Sequence, residues 1–206
     1  MKNNKVLFLV QFSVLTAILA IFCFYPMLGS IPIKPVEATT AMIPVILTAL
    51  LLGTKAGTVM GGIAGLFSFI VWSFMTPNPA IAFLFSPLHS IGGMSSILGS
   101  LFICFVPRIL VGTVTGLVHN ALSKMMPKRD VLGMVIASVA GSLTNTVGFL
   151  LGTWVFFGMS ASSPFATTIL TFAGTVVLTG GIPEAILSGV VCPAVSKPMK
   201  IISKRR

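Results

Sequence analysis

Acidic side chains are almost missing from this sequence: Glu37, Asp130 and Glu184 are the only three in 206 residues. A paired general acid and base, or a relay of carboxylates moving protons, has too few groups to be built. Charge of either sign is scarce at 8% of residues, against about 25% in a soluble domain. A chain so poor in polar groups cannot cover its surface in water, which excludes a soluble enzyme and a nucleic-acid-binding domain. Cys23, Cys104 and Cys192 lie in apolar stretches without CxxC or Cys/His spacing, so neither a disulfide nor a metal site is expected. No G-x-x-x-x-G-K-[ST] phosphate loop occurs, Gly53-Thr-Lys-Ala-Gly57 included, and there is no HExxH or GxSxG. The chain is therefore not expected to be an enzyme or to carry a cofactor.

What is present is hydrophobic: 55% of residues, with a mean hydropathy of +1.07. This is the composition of an integral membrane protein. A helix needs about 20 residues to cross the hydrocarbon, and six spans emerge: 6–25, 41–53, 58–75, 98–122, 132–157 and 166–195. The second is short and contains Pro44, which predicts a tilted, broken or incompletely spanning helix. The sixth is interrupted by Gly180-Gly181-Ile182-Pro183. The first begins with Lys2 and Lys5 like a signal peptide, but its apolar run is too long and no A-x-A site follows, so it reads as a retained helix. All but Lys34 and Arg108 of the thirteen Lys and Arg fall at the N-terminus, in the 54–57 and 123–131 turns, or in the tail. The positive-inside rule then places both termini in the cytoplasm. The expectation is an all-α integral membrane protein, one domain over 1–206, in which a six-helix bundle carries long outer loops 1 (26–40) and 3 (76–97). Apolar side chains in those loops, Ile31, Ile33, Phe83 and Phe85, predict that they fold over a ligand cavity.

Three polar groups fall inside the spans. At ~1.5 Å of rise per residue, Arg108 lies ~24 Å from Lys124, Asn145 ~22 Å from Asp130 and Glu184 ~20 Å from Lys197. Three helices thus bring an arginine, an amide and a carboxylate to a similar depth, where charge is expensive and marks function. The competing reading pairs Arg108 with Glu184 to fix helix packing, with Asn145 as a hydrogen-bonding glue; snorkelling of Arg108 to the surface is a third. Lys34 and Glu37 are either ligand contacts or a solvated loop pair. His89 and Asn78 fit a loop surface and a turn as well as they fit a ligand. Trp72, like Trp154, sits where an interfacial aromatic belt would also place it. His119, near the basic end of its helix, is given no role. Small residues recur every fourth position: Ser13 with Ala17 and Thr16 with Ala20 in the first span, Gly61, Gly62 and Gly65 in the third, Ala137, Ala140 and Gly141 in the fifth. They let helices approach closely in lipid, and on the first helix the face at Ser13, Ala17 and Ala20 is free to receive a partner protein.

The SVLTAILA segment, IPVILTALLLGTKAGTVMGGIAGLFSF and the six-span plan resemble the substrate-binding S components of energy-coupling factor (ECF) vitamin transporters, over nearly the whole chain. The blocks NPAIAFLFSP, FVPRILVGTVTGLV and SLTNTVG look like the pantothenate branch. The resemblance implies high-affinity vitamin binding beneath the outer loops. It also implies association with a transmembrane coupling protein and two cytoplasmic ATPases, and toppling of the subunit to release substrate inside. The family's first-helix AxxxA contact is matched by Ala17, with Ser13 where the other alanine would stand. Arg108 would take the pantothenate carboxylate, while Asn145 and Glu184 take its hydroxyls or amide. Riboflavin, folate and cobalamin stay open as substrates, although one tyrosine and two tryptophans ill suit a large flat ring. A small channel or scaffold without a ligand is the alternative from another class, and polar residues regularly spaced along one helix face would favour it.

Overall fold

The structure, a computed structural model, describes residues 2–25, 30–31, 38–77, 81–89, 93–126, 129–158 and 173–204. Its helices are α1 (Lys2–Phe24), α2 (Met42–Leu52), α3 (Thr54–Ile70), the single turn α4 (Ala82–Phe85), α5 (Met94–Met125), α6 (Asp130–Thr153) and α7 (Ile182–Lys204). Among the described residues, five stretches are long and apolar enough to cross a membrane: Lys5–Phe24, Thr54–Met75, Met94–Met125, Asp130–Phe157 and Ala173–Lys200. The expected helical bundle is the one found.

The sixth expected span is α2. Its 11 residues reach only ~16 Å, about half the hydrocarbon. Met42 through Leu50 are all buried, as an all-round hydrophobic helix requires. α2 is a core element: it packs against α1, α3, α5 and α7, and Val45 and Ile46 join Leu19, Met60, Val111, Met134 and Cys192 in one apolar cluster. Pro44 falls in its first turn, where a missing N–H is harmless. The predicted turn at 54–57 is absent. Gly53 alone reverses the chain between α2 and α3 at φ +93, a conformation that side chains with a Cβ avoid.

α3, α5 and α6 pack through small residues. A Cβ at Gly61 would lie 2.2 Å from the Arg108 carbonyl oxygen, so the α3 backbone rests directly on α5 at the residue of interest. Gly57 and Gly65 continue that contact, whereas a Cβ at Gly62 would meet nothing within 4 Å among the described residues. Loop 1 carries a short antiparallel pair, β1 (Ser30–Ile31) with β2 (Ala38–Thr39), which an all-helical reading did not include. α3 and α6 each end in a π turn, Val71–Met75 and Trp154–Gly158, and a third, Val177–Gly181, precedes α7. The third replaces the break expected at Gly180-Gly181: the helix widens by a residue and continues. All three turns lie at the end of the bundle opposite Lys124, Arg129 and Lys200.

Candidate ligand-binding site

Pro107 lies inside α5 without breaking it. Proline has no N–H, so the carbonyl one turn back, Ile103, loses its helical donor. The next residue repairs this: Arg108 Nη1 donates to the Ile103 carbonyl. The buried guanidinium also lies over the Phe85 ring, 5.4 Å from Cζ to the centroid, a cation–π contact strengthened by exclusion of water. Its Nε, also buried, has no partner among the described residues.

Asn145 on α6 donates from Nδ2 to Glu184 Oε1 on α7, at a long 3.5 Å. Asn145 Oδ1 is enclosed without a partner among the described residues. Glu184 is buried, in the turn of α7 that directly follows the π turn Val177–Gly181. Near Asn145 on α6, Gly148 packs against Pro107 of α5 and Thr146 against Gly181 just before α7. The three groups matched by depth in the sequence are thus gathered at one level of the bundle.

Loop 3 descends into this region. Ala82, Leu84, Phe85 and Ser86 are buried. The Phe85 ring stacks on Trp72 (4.6 Å, 20°) and on Phe149 (5.4 Å, 11°). Its carbonyl accepts the Cys104 thiol at 2.8 Å, and Ser86 Oγ meets Ser73 Oγ of the first π turn at 3.0 Å. Trp72 is therefore half-buried in an aromatic cluster, more enclosed than an interfacial belt would leave it. His89 is exposed in a 3-10 turn. Lys34, Glu37 and Asn78 lie outside the described residues. Ser13 and Ala17 are exposed on α1 and Ala20 is half-buried, while Thr16 Oγ1, donating to the Phe12 carbonyl at 2.8 Å, lies 3.6 Å from Met60 Sδ of α3.

Sequence reasoning named Phe85 as an apolar lid residue but missed Phe149 and the stacking of the two rings, which joins residues far apart in the chain. It also missed a polar cluster at the basic end, where Lys200 Nζ lies 3.0 Å from His119 Nε2 and 3.7 Å from Asp130 Oδ2. The Pro107 signal was available, since the carbonyl freed by a proline is always the one four residues before it.

Helices of membrane-crossing length that enclose a cation, an amide and a carboxylate, with an apolar loop packed among them, define a multi-pass membrane protein built around an internal polar site. Residues 7–196 match the family model described as ECF transporter, substrate-specific component, and this chain belongs to that family. It is 34% identical over 166 residues to the pantothenic acid transporter PanT of Lactococcus lactis subsp. cremoris, covering 79% of this chain and 80% of that one. It is 32% identical over 166 residues to the pantothenate transporter PanT of Leuconostoc mesenteroides subsp. mesenteroides, covering 76% and 72%. The fold is similar to the crystal structure of the S-component for biotin from an ECF-type ABC transporter, with a TM-score of 0.61 and 20% identity over 96% of this chain and 94% of that one.

Proposed function

We propose that this chain is the pantothenate-binding subunit of an ATP-driven ECF importer. The observation that carries the reading is the buried Arg108, whose Nε, like Asn145 Oδ1, has no hydrogen-bond partner among the described residues, in a chain a third identical to two transporters named for pantothenate. The anionic end of the ligand docks on the Nε edge, because Nη1 is committed to Ile103 and Phe85 covers a face of the guanidinium. Asn145 and Glu184 receive the hydroxyls or amide, and Trp72 and Phe85 close over the apolar part. Lys34, Glu37, Asn78 and His89 are the further residues assigned to contact the ligand.

The chain holds no ATP-binding motif, so import runs through partners: a transmembrane coupling protein and two cytoplasmic ATPases. The exposed Ser13 and Ala17 support one docking register on α1, since Thr16 is turned inward against Met60; Ala20 borders that face. With all but two basic residues at one end, both termini are cytoplasmic. Mass spectrometry of the small molecule that copurifies with the detergent-solubilised chain tests the substrate. Pantothenate is the expected result, and a different vitamin overturns the assignment.

A further inference from the structure

Hydroxyls in these helices mostly find partners within their own helix. Thr48, Thr58, Thr113, Ser138, Thr144 and Thr153 each donate to the carbonyl one turn back at 2.7–2.9 Å. Thr115, Ser142 and Ser196 do not. All three are fully enclosed, at 0% exposure, and none of their Oγ atoms has a partner among the described residues. A buried hydroxyl without a partner is costly, so such groups are rare and call for an explanation.

Their placement supplies one. Together with Arg108 Nε and Asn145 Oδ1 they are all the enclosed, unpartnered side-chain atoms among the described residues, and every one is on α5, α6 or α7. On α7, Glu184, Ser188, Cys192, Ser196 and Lys200 fall every fourth residue, the first four of them buried. Ser138 and Ser142 lead down α6 from Asn145, and Thr115 and His119 lead down α5 from Arg108. Cross-contacts join the rows. Thr115 Oγ1 lies against the bare backbone of Gly141, where a Cβ would come within 2.0 Å of it. Ser138 on α6 and Cys192 on α7 are both fully enclosed, at 0% exposure. At the basic end the rows converge on His119, Asp130 and Lys200.

We infer that this seam is hydrated: internal waters bind Thr115, Ser142 and Ser196 and link the ligand site to the His119–Asp130–Lys200 cluster. Water is both donor and acceptor, and a buried water takes two to four polar partners, which the seam offers as hydroxyls, the Cys192 thiol and the Gly189 carbonyl freed by Pro193. The seam lets water reach Asn145 and Glu184 from the basic end when the ligand departs. That role rests on the ligand reading; the hydration does not, and it is tested on the empty chain.

The test is X-ray hydroxyl-radical footprinting of the ligand-free full chain, with water as the probe, beside thermal melts of variants. Met134 and Met60 are both 0% exposed and share one apolar cluster, but the Met134 carbonyl accepts from Ser138 of the seam, whereas Met60 Sδ lies 3.6 Å from Thr16 of α1. Several-fold faster oxidation of Met134 is the expected result; equal rates overturn the proposal. Thr115→Val, Ser142→Ala and Ser196→Ala should each lower Tm by about 2–4 °C, the shift for one lost net hydrogen bond in a chain of this size. A dry hydroxyl would be better removed, so Tm raised or unchanged in all three also overturns it.

Discussion

Arg108 carries the candidate site because its neighbour disarms the helix. Pro107 frees the Ile103 carbonyl, and the guanidinium takes it, so the cation is fixed before any ligand arrives. Arg108→Ala should weaken pantothenate binding by about 2–5 kcal/mol, the range for truncating one partner of a buried charge pair, as read by isothermal calorimetry. Arg108→Lys should recover only part, since an ammonium cannot reproduce the planar fork. Pro107→Ala separates positioning from contact. The restored amide N–H competes for Ile103, and affinity should fall while Tm holds or rises; unchanged affinity would show that Arg108 needs no such anchor. Glu184→Gln distinguishes its two roles in the same way. Loss of affinity with a stable empty protein indicates a ligand contact, and loss of stability with little loss of affinity indicates charge neutralisation.

Elements meet through bare backbone at the level of that arginine. Lipid supplies no hydrophobic drive between helices, so close packing holds α3 on α5. Gly61→Ala would force a methyl to within 2.2 Å of the Arg108 carbonyl and should cost about 1–3 kcal/mol by overpacking. Gly62→Ala, which meets nothing within 4 Å, should be neutral or gain up to about 1 kcal/mol from helix propensity. Melting curves of the two neighbours decide the matter, and equal effects would remove the α3–α5 contact from the account.

At the scale of the whole molecule, loop 3 is already anchored through Phe85 and Ser86, and ligand should close the remainder. Hydrogen-exchange protection across 26–40 and 76–97 is expected to rise with pantothenate; unchanged protection at saturation would argue against a lid. Ala17 is exposed on α1, so Ala17→Leu should block assembly with the coupling proteins and leave binding intact. Pull-down and calorimetry on one preparation read both, and accumulation of substrate by the chain alone in liposomes would contradict the need for partners.

Membrane insertion, the number of helical segments and the depth of Arg108, Asn145 and Glu184 were legible from the chain itself, because bilayer thickness and helical rise convert spacing into position. The Pro107–Ile103 relation is local in the same sense. Tertiary structure decided what depends on contacts between distant segments: α2 as a buried half-length helix, Phe85 brought from loop 3 onto Trp72 and Phe149, Thr16 turned inward so that Ser13 and Ala17 remain bare, and His119 joined to Asp130 and Lys200. Periodicity specifies a residue's height along its helix. Its partner is set by how neighbouring helices rotate and approach, and that follows from packing over the whole bundle.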